Sequence, residues 1–216
     1  ACMVHPKDGG VYYTTYHDLV FIKKDGQWNE DTQSYEPKDL FTLGGSGGVE
    51  VFSDKAYPII HPSGKYAYIL LYESIWKTEY NEETHEFMPA EQFVGKKLSG
   101  GDVDGVGTDA RFKRIGQGVF VKNKDYVAAG REDVYDFYVT DIDNHSIRRV
   151  TPDGRVTTYA GKGSPFVDGN KGGDIDGELR TEARFNWPFG IAYDERTETF
   201  YVCETGNKKI RTISVQ

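Results

Sequence analysis

Two hexapeptides hold the densest chemistry in this 216-residue chain: Gly100-Gly101-Asp102-Val103-Asp104-Gly105 and Gly172-Gly173-Asp174-Ile175-Asp176-Gly177. Paired carboxylates on a glycine-rich turn suit a hard cation such as calcium, which gathers about six to eight oxygen ligands. Neither copy has the third acid or the later glutamate of a complete calcium loop, so calcium is a secondary expectation. The first expectation is a connecting role for Asp102, Asp104, Asp174 and Asp176, with no cofactor. The five histidines, His5, His17, His61, His85 and His145, include no pair at the i, i+4 spacing of a helical zinc site. A polar residue opening a hairpin turn accounts for His5-Pro6 and His61-Pro62. There is no phosphate-cradling Gly-x-x-x-x-Gly-Lys loop, and no residue is assigned a catalytic role.

The elements that position these loops are read from a repeat. Asp104-Gly105, Ala110-Arg111-Phe112, Gly118-Val119-Phe120-Val121, Phe137-Tyr138-Val139-Thr140-Asp141, Asn144 and Ile147-Arg148 return in order as Asp176-Gly177, Ala183-Arg184-Phe185, Gly190-Ile191-Ala192-Tyr193, Phe200-Tyr201-Val202-Cys203-Glu204, Asn207 and Ile210-Arg211. The spacing from Val139 to Val202 equals that from Arg148 to Arg211, 63 positions. Short aromatic and β-branched runs bounded by polar turns are strands, and four of them make a small antiparallel sheet. Such a sheet is stable when sheets pack face to face around a common axis, as in a β-propeller. Two earlier stretches follow the same strand order more loosely. The expected fold is therefore all-β, a single propeller domain or part of one over residues 1–216. Its four blade-like units span residues 1–44, 56–95, 104–161 and 176–216, and some hairpin loops are enlarged. Inner strands are expected near residues 2, 58, 118 and 190.

The run Ala-Arg-Phe, Gly-Ile-Ala-Tyr-Asp, Phe-Tyr-Val, Gly-Asn, Ile-Arg in the fourth unit, with Val-Thr-Thr-Tyr-Ala-Gly closing the third, resembles the NHL-repeat β-propellers. The match is dense in the second half of the chain. The first two units lack the Asn and Ile-Arg element and are placed by strand order. The resemblance implies a ring of six blades, of which this chain would be a part; a compact ring of four is the alternative. It also implies kinship with secreted and surface lipoproteins of Bacteroidetes, often carrying an IPT/TIG domain, and so an extracytoplasmic location in the periplasm or at the outer surface.

Charge narrows the partners. With 26 basic against 34 acidic residues and a net charge of −8, the chain lacks the electrostatic footprint for nucleic acid. Its apolar runs are far shorter than the ~18 residues of a membrane-spanning helix. The two cysteines, Cys2 and Cys203, read as small buried residues; a disulfide between the first and last units would require those units to be neighbours.

In a propeller, the loops that lead into inner strands and those between strands two and three emerge on one face. That places Trp187, Arg184, Arg111, Tyr72, Trp76, Tyr16, Asp141 and Glu204 as ligand-binding candidates. Aromatic platforms beside arginines and carboxylates suit sugar rings. Equally, Arg111 and Arg184 could brace the blade, and Asp141 and Glu204 could bond turn backbone. The expected function is a non-catalytic binding or scaffold propeller, for glycans, with a polar small molecule, glycan or protein as partner. The alternatives are a metal-dependent lyase or hydrolase with its site in the propeller channel, and a structural protein-interaction domain.

Overall fold

The computed structural model describes residues 2–14, 20–24, 28–35, 38–42, 56–161 and 172–214. The fold is all-β, as the alternating patterns require. The first sheet runs Cys2–Val4, Val11–Thr14, Val20–Lys24 and Lys38–Thr42, each strand beside the next. In the second, Tyr57–Ile60, Tyr66–Leu70 and Ser74–Asn81 pair in sequence, and both Glu86–Phe87 and Glu91–Gly95 pair with Ser74–Asn81. The third comprises Ile115–Lys122, Tyr135–Asp141, Ser146–Val150, Arg155–Ala160 and the short segment Gly105–Val106. The fourth holds Pro188–Asp194, Thr199–Glu204 and Lys209–Ser214.

Several hairpins among the described residues are larger than a tight turn. Asn81 accepts hydrogen bonds from the backbone amides of Glu83 and Thr84, which turns the third strand of the second sheet back on itself. In the third sheet, a helix spanning Lys124–Ala128 interrupts the first hairpin; Asn123 caps it by accepting from the Asp125 and Tyr126 amides.

Contacts divide the chain into two compact units, Ala1–Leu71 with Ile75–Gln92, and Tyr72–Ser74 with Phe93–Gln216. The first unit is centred on Tyr12, Ala67, Ile69 and Phe87, all buried, with the Tyr12 and Phe87 rings meeting edge to face at 4.8 Å. His5 closes this core. Its ring stacks on Tyr80 at 4.0 Å, Nε2 contacts the Gly64 carbonyl at 2.9 Å, and Nδ1 lies 3.0 Å from Asp8.

The second unit packs Ile147, Ala160, Phe185, Phe200 and Val202 between its sheets. Its first strands share a defect: the register shifts between Ile115 and Gly118 and, at the same place in the repeat, between Pro188 and Gly190. A bulge bends each strand as it enters the sheet. Beyond the bulge, a Cβ at Gly118 would stand 2.2 Å from the Phe137 ring, so a side chain there would force a shift.

Both cysteines depart from expectation. Cys2 and Cys203 are free and exposed, because each falls on the outward phase of its strand's alternation.

Candidate functional site: a polar rim on the second unit

The repeated motif builds a clamp before it builds a site. Arg148 is fully buried, and its guanidinium reaches Asp141 at 3.0 Å, Asp102 at 3.3 Å, Asp104 at 2.8 Å and the Arg111 carbonyl at 3.0 Å. Asp141 is itself saturated. One oxygen accepts from the Lys113 and Arg114 amides, the other from Asn144 and Arg148. Asn144 then donates to the Gly101 carbonyl, so one motif ties the Gly-Gly-Asp-x-Asp loop, the Ala-Arg-Phe segment and the loop between strands two and three. Burial pushes the Asp141 carboxyl up to about 6, against the pull of Arg148 and the donated hydrogen bonds.

The fourth sheet repeats the device. Arg211 holds Asp176 and the carbonyls of Arg184 and Ile175, and stands 3.8 Å from Glu204. Glu204 accepts from the Asn186 amide and Asn207, and Asn207 donates to the Gly173 carbonyl. Lys209 pairs with Asp174. All four aspartates of the two hexapeptides are therefore engaged by cationic side chains.

This geometry corrects part of the expected site. Asp141 and Glu204 are buried anchors of the clamp, unavailable to a ligand because their oxygens already accept internal bonds. Arg111 turns back on its own loop, donating to the Thr108 and Ala110 carbonyls. Arg184 lies against Gly173, where its backbone pairs with Ile175. Trp76 packs on the core of the first unit. Tyr16 and His17 lie outside the described residues.

Tyr72 and Trp187 remain as exposed aromatics, 41% and 49% accessible. A chain of hydrogen bonds links the segments that carry them: Ile115 amide to Tyr72 carbonyl, Ile142 amide to Arg114 carbonyl, Trp187 amide to His145 Nδ1, and Thr205 amide to Trp187 carbonyl. These segments form one rim. Within it Arg114 pairs with Asp143 at 2.8 Å, and the Arg114 Nε is buried without a hydrogen-bond partner. Desolvation, then the Asp143 charge, raises the Tyr72 hydroxyl, which stays a proton donor.

Trp187 is held in a left-handed conformation at φ 51°, immediately before Pro188. That conformation is costly for a bulky residue, roughly 1–3 kcal/mol, and persists where its surroundings over-determine it. Here His145 fixes the amide, while the Thr205 amide and hydroxyl fix the carbonyl. Arg114 and His145 were not anticipated as rim residues. Arg114 was nonetheless legible, since it follows Ala110-Arg111-Phe112 at the place where Trp187 follows Ala183-Arg184-Phe185.

Among the described residues no three His, Cys, Asp or Glu side chains gather as metal ligands, and no helix is long and apolar enough to cross a membrane.

Antiparallel sheets, the third and fourth of which tie their incoming loop to an Arg and an Asn of the repeat, make a repeat-built β-propeller. The chain's homologues and structural neighbours support an NHL-repeat β-propeller family. No protein-family model matches the chain. Human NHL repeat-containing protein 2 is 32% identical over 117 residues, 54% of this chain and 14% of that protein. An auxiliary nutrient binding protein from Bacteroides thetaiotaomicron VPI-5482 superposes with a TM-score of 0.83 at 38% identity, over 99% of this chain and 47% of the other. A candidate phosphatase from the same organism superposes at 0.86 and 36% identity, over 100% of this chain and 48% of the other. The chain spans about half the length of these solved structures and far less of the curated relative.

Proposed function

We propose that this chain is a binding propeller that holds a polar ligand without transforming it, on the rim carrying Tyr72, Arg114, Asp143 and Trp187. The observation behind this reading is the strained, triply anchored Trp187, whose indole is presented to solvent rather than packed. An exposed ring offers a C–H-stacking platform, and the adjoining Arg114–Asp143 pair offers both donors and acceptors to hydroxyl groups. The ligand class is a glycan or comparable hydroxylated molecule. The likeness to an auxiliary nutrient binding protein supports a binding role, and with it an extracytoplasmic setting.

Titration calorimetry against a panel of oligosaccharides tests the proposal. Binding that Trp187→Ala weakens, with the melting temperature held, is the expected result. Unchanged affinity in a variant that melts earlier would return Trp187 to a purely structural role.

A second reading, phosphate-ester hydrolysis, has the candidate-phosphatase neighbour in its favour. Steady turnover of p-nitrophenyl phosphate by the purified chain, lost in Arg114→Met, would replace the binding reading with this one.

A further inference from the structure

The Trp187 amide rests on a side chain that cannot hold it in both of its protonation states. A backbone N–H only donates, so the 3.1 Å bond from Trp187 to His145 Nδ1 requires that nitrogen to be the unprotonated one. His145 is buried, and Gly172 packs against its ring so closely that a Cβ there would stand 2.7 Å from Nδ1. The native packing is thus built around a neutral imidazole with its proton on Nε2.

The backbone itself does not ask for an imidazole at this place. The same turn recurs in the fourth repeat with Lys208, also left-handed at φ 54° against 53° for His145. What His145 adds is the acceptor, which reaches from the third repeat to the loop of the fourth that presents Trp187. The carboxylates on the surrounding elements are already committed: Asp143 to Arg114, Asp141 to Arg148, Glu204 to the Asn186 amide and Asn207, and Asp174 to Lys209. A second proton on the ring therefore meets the Trp187 N–H head on.

We infer that His145 is a positioning residue for Trp187 and that its protonation releases the indole, so that the rim holds ligand at neutral pH and lets it go in mild acid. Histidine is the side chain whose charge ordinarily changes between about pH 5 and 8. With both nitrogens protonated, Nδ1 is a donor facing a donor, and turning the ring over puts a C–H in its place. Either way the amide loses its acceptor. The left-handed Trp187 then keeps only the Thr205 contacts to its carbonyl. Such a conformation persists only while its surroundings over-determine it, so the segment relaxes and the platform turns away. The release of ligand rests on the binding reading of the rim, whereas the coupling of His145 to Trp187 does not.

The test builds 5-fluorotryptophan into the whole chain and follows the fluorine resonance of Trp187, assigned with Trp187→Phe, from about pH 7.5 to 5. One transition is expected, at the midpoint at which the nitrogen shifts of the His145 imidazole titrate. In His145→Asn the side-chain oxygen takes the place of Nδ1, accepts without titrating and suits a left-handed backbone. The resonance should then stay at its neutral position throughout, and in His145→Ala it should sit at the acid position at every pH. An oligosaccharide that calorimetry finds to bind the parent should lose affinity about three- to tenfold in acid, the scale of one hydrogen bond, and should lose none in His145→Asn. A Trp187 transition that persists in His145→Asn would overturn the inference and assign the titration to a carboxylate such as Asp141. If no oligosaccharide binds at either pH, the binding reading fails, while the fluorine titration still decides the coupling.

Discussion

Asp141 and Arg148 lie 3.0 Å apart with neither side chain exposed to solvent, and the loops around the rim are tied to that pair. The arginine satisfies the aspartate electrostatically while the aspartate orients two backbone amides from the segment that leads to Arg114. A buried pair of this kind is costly to break from one side only, because the remaining charge is left without compensation.

Replacing Arg148 by Met should therefore cost about 3–5 kcal/mol of stability. Arg211→Met should cost less, since its partner Asp176 is solvated and Glu204 stands farther away. Denaturant unfolding of the two variants checks the order. Equal losses would mean that the two repeats are equally rigid despite their different exposure.

The Asp141 carboxyl gives a pH dependence of unusual sign. Its folded value of about 6 lies above the usual 3.8, so the native state binds this proton more tightly than the unfolded chain does. Its contribution to stability rises as pH falls from about 6 towards 4 and is absent above that window, an effect of up to about 3 kcal/mol. Asp153, Asp174 and Asp194 are lowered by hydrogen bonds, and their contributions are lost as pH falls. The measurement is the difference between parent and Asp141→Asn melting curves across pH 4–7. A difference that does not change with pH would remove the assignment.

At Trp187 stability and binding should move in opposite directions. Trp187→Gly relieves the left-handed strain and should hold or raise the melting temperature, while removing the platform. Ligand affinity should fall by about 1–3 kcal/mol in Trp187→Gly and in Tyr72→Ala, the scale of burying a large side chain. Calorimetry and thermal melts on the same samples separate the two effects.

Gly118→Ala should destabilise the second unit without altering the rim, because its methyl group would enter the Phe137 ring. A cost of about 1–3 kcal/mol is expected for such overpacking. Unchanged melting would mean that Phe137 can move aside.

Much of the fold is legible in one dimension. The alternation in 135–141 and 199–204, and the return of Asp-Gly, Ala-Arg-Phe, Asn and Ile-Arg at matched spacing, specify strands and their order, since period two and turn chemistry are local properties. The site was read only in part. Tyr72 and Trp187 are exposed, whereas Asp141 and Glu204, grouped with them on the basis of sequence, are buried.

What the sequence by itself determined is the repeat, the strands within it and the positions at which a loop must turn. What only the tertiary structure decided is which polar groups are already taken. Asp141 and Asp143 stand two residues apart, yet the first is sealed by Arg148 and two backbone amides while the second faces the rim with Arg114. Arg148 and Arg114 come from different strands and loops and reach those carboxylates only when the chain has folded. Availability for binding depends on such long-range partners and on exclusion of water, and neither is encoded in local periodicity.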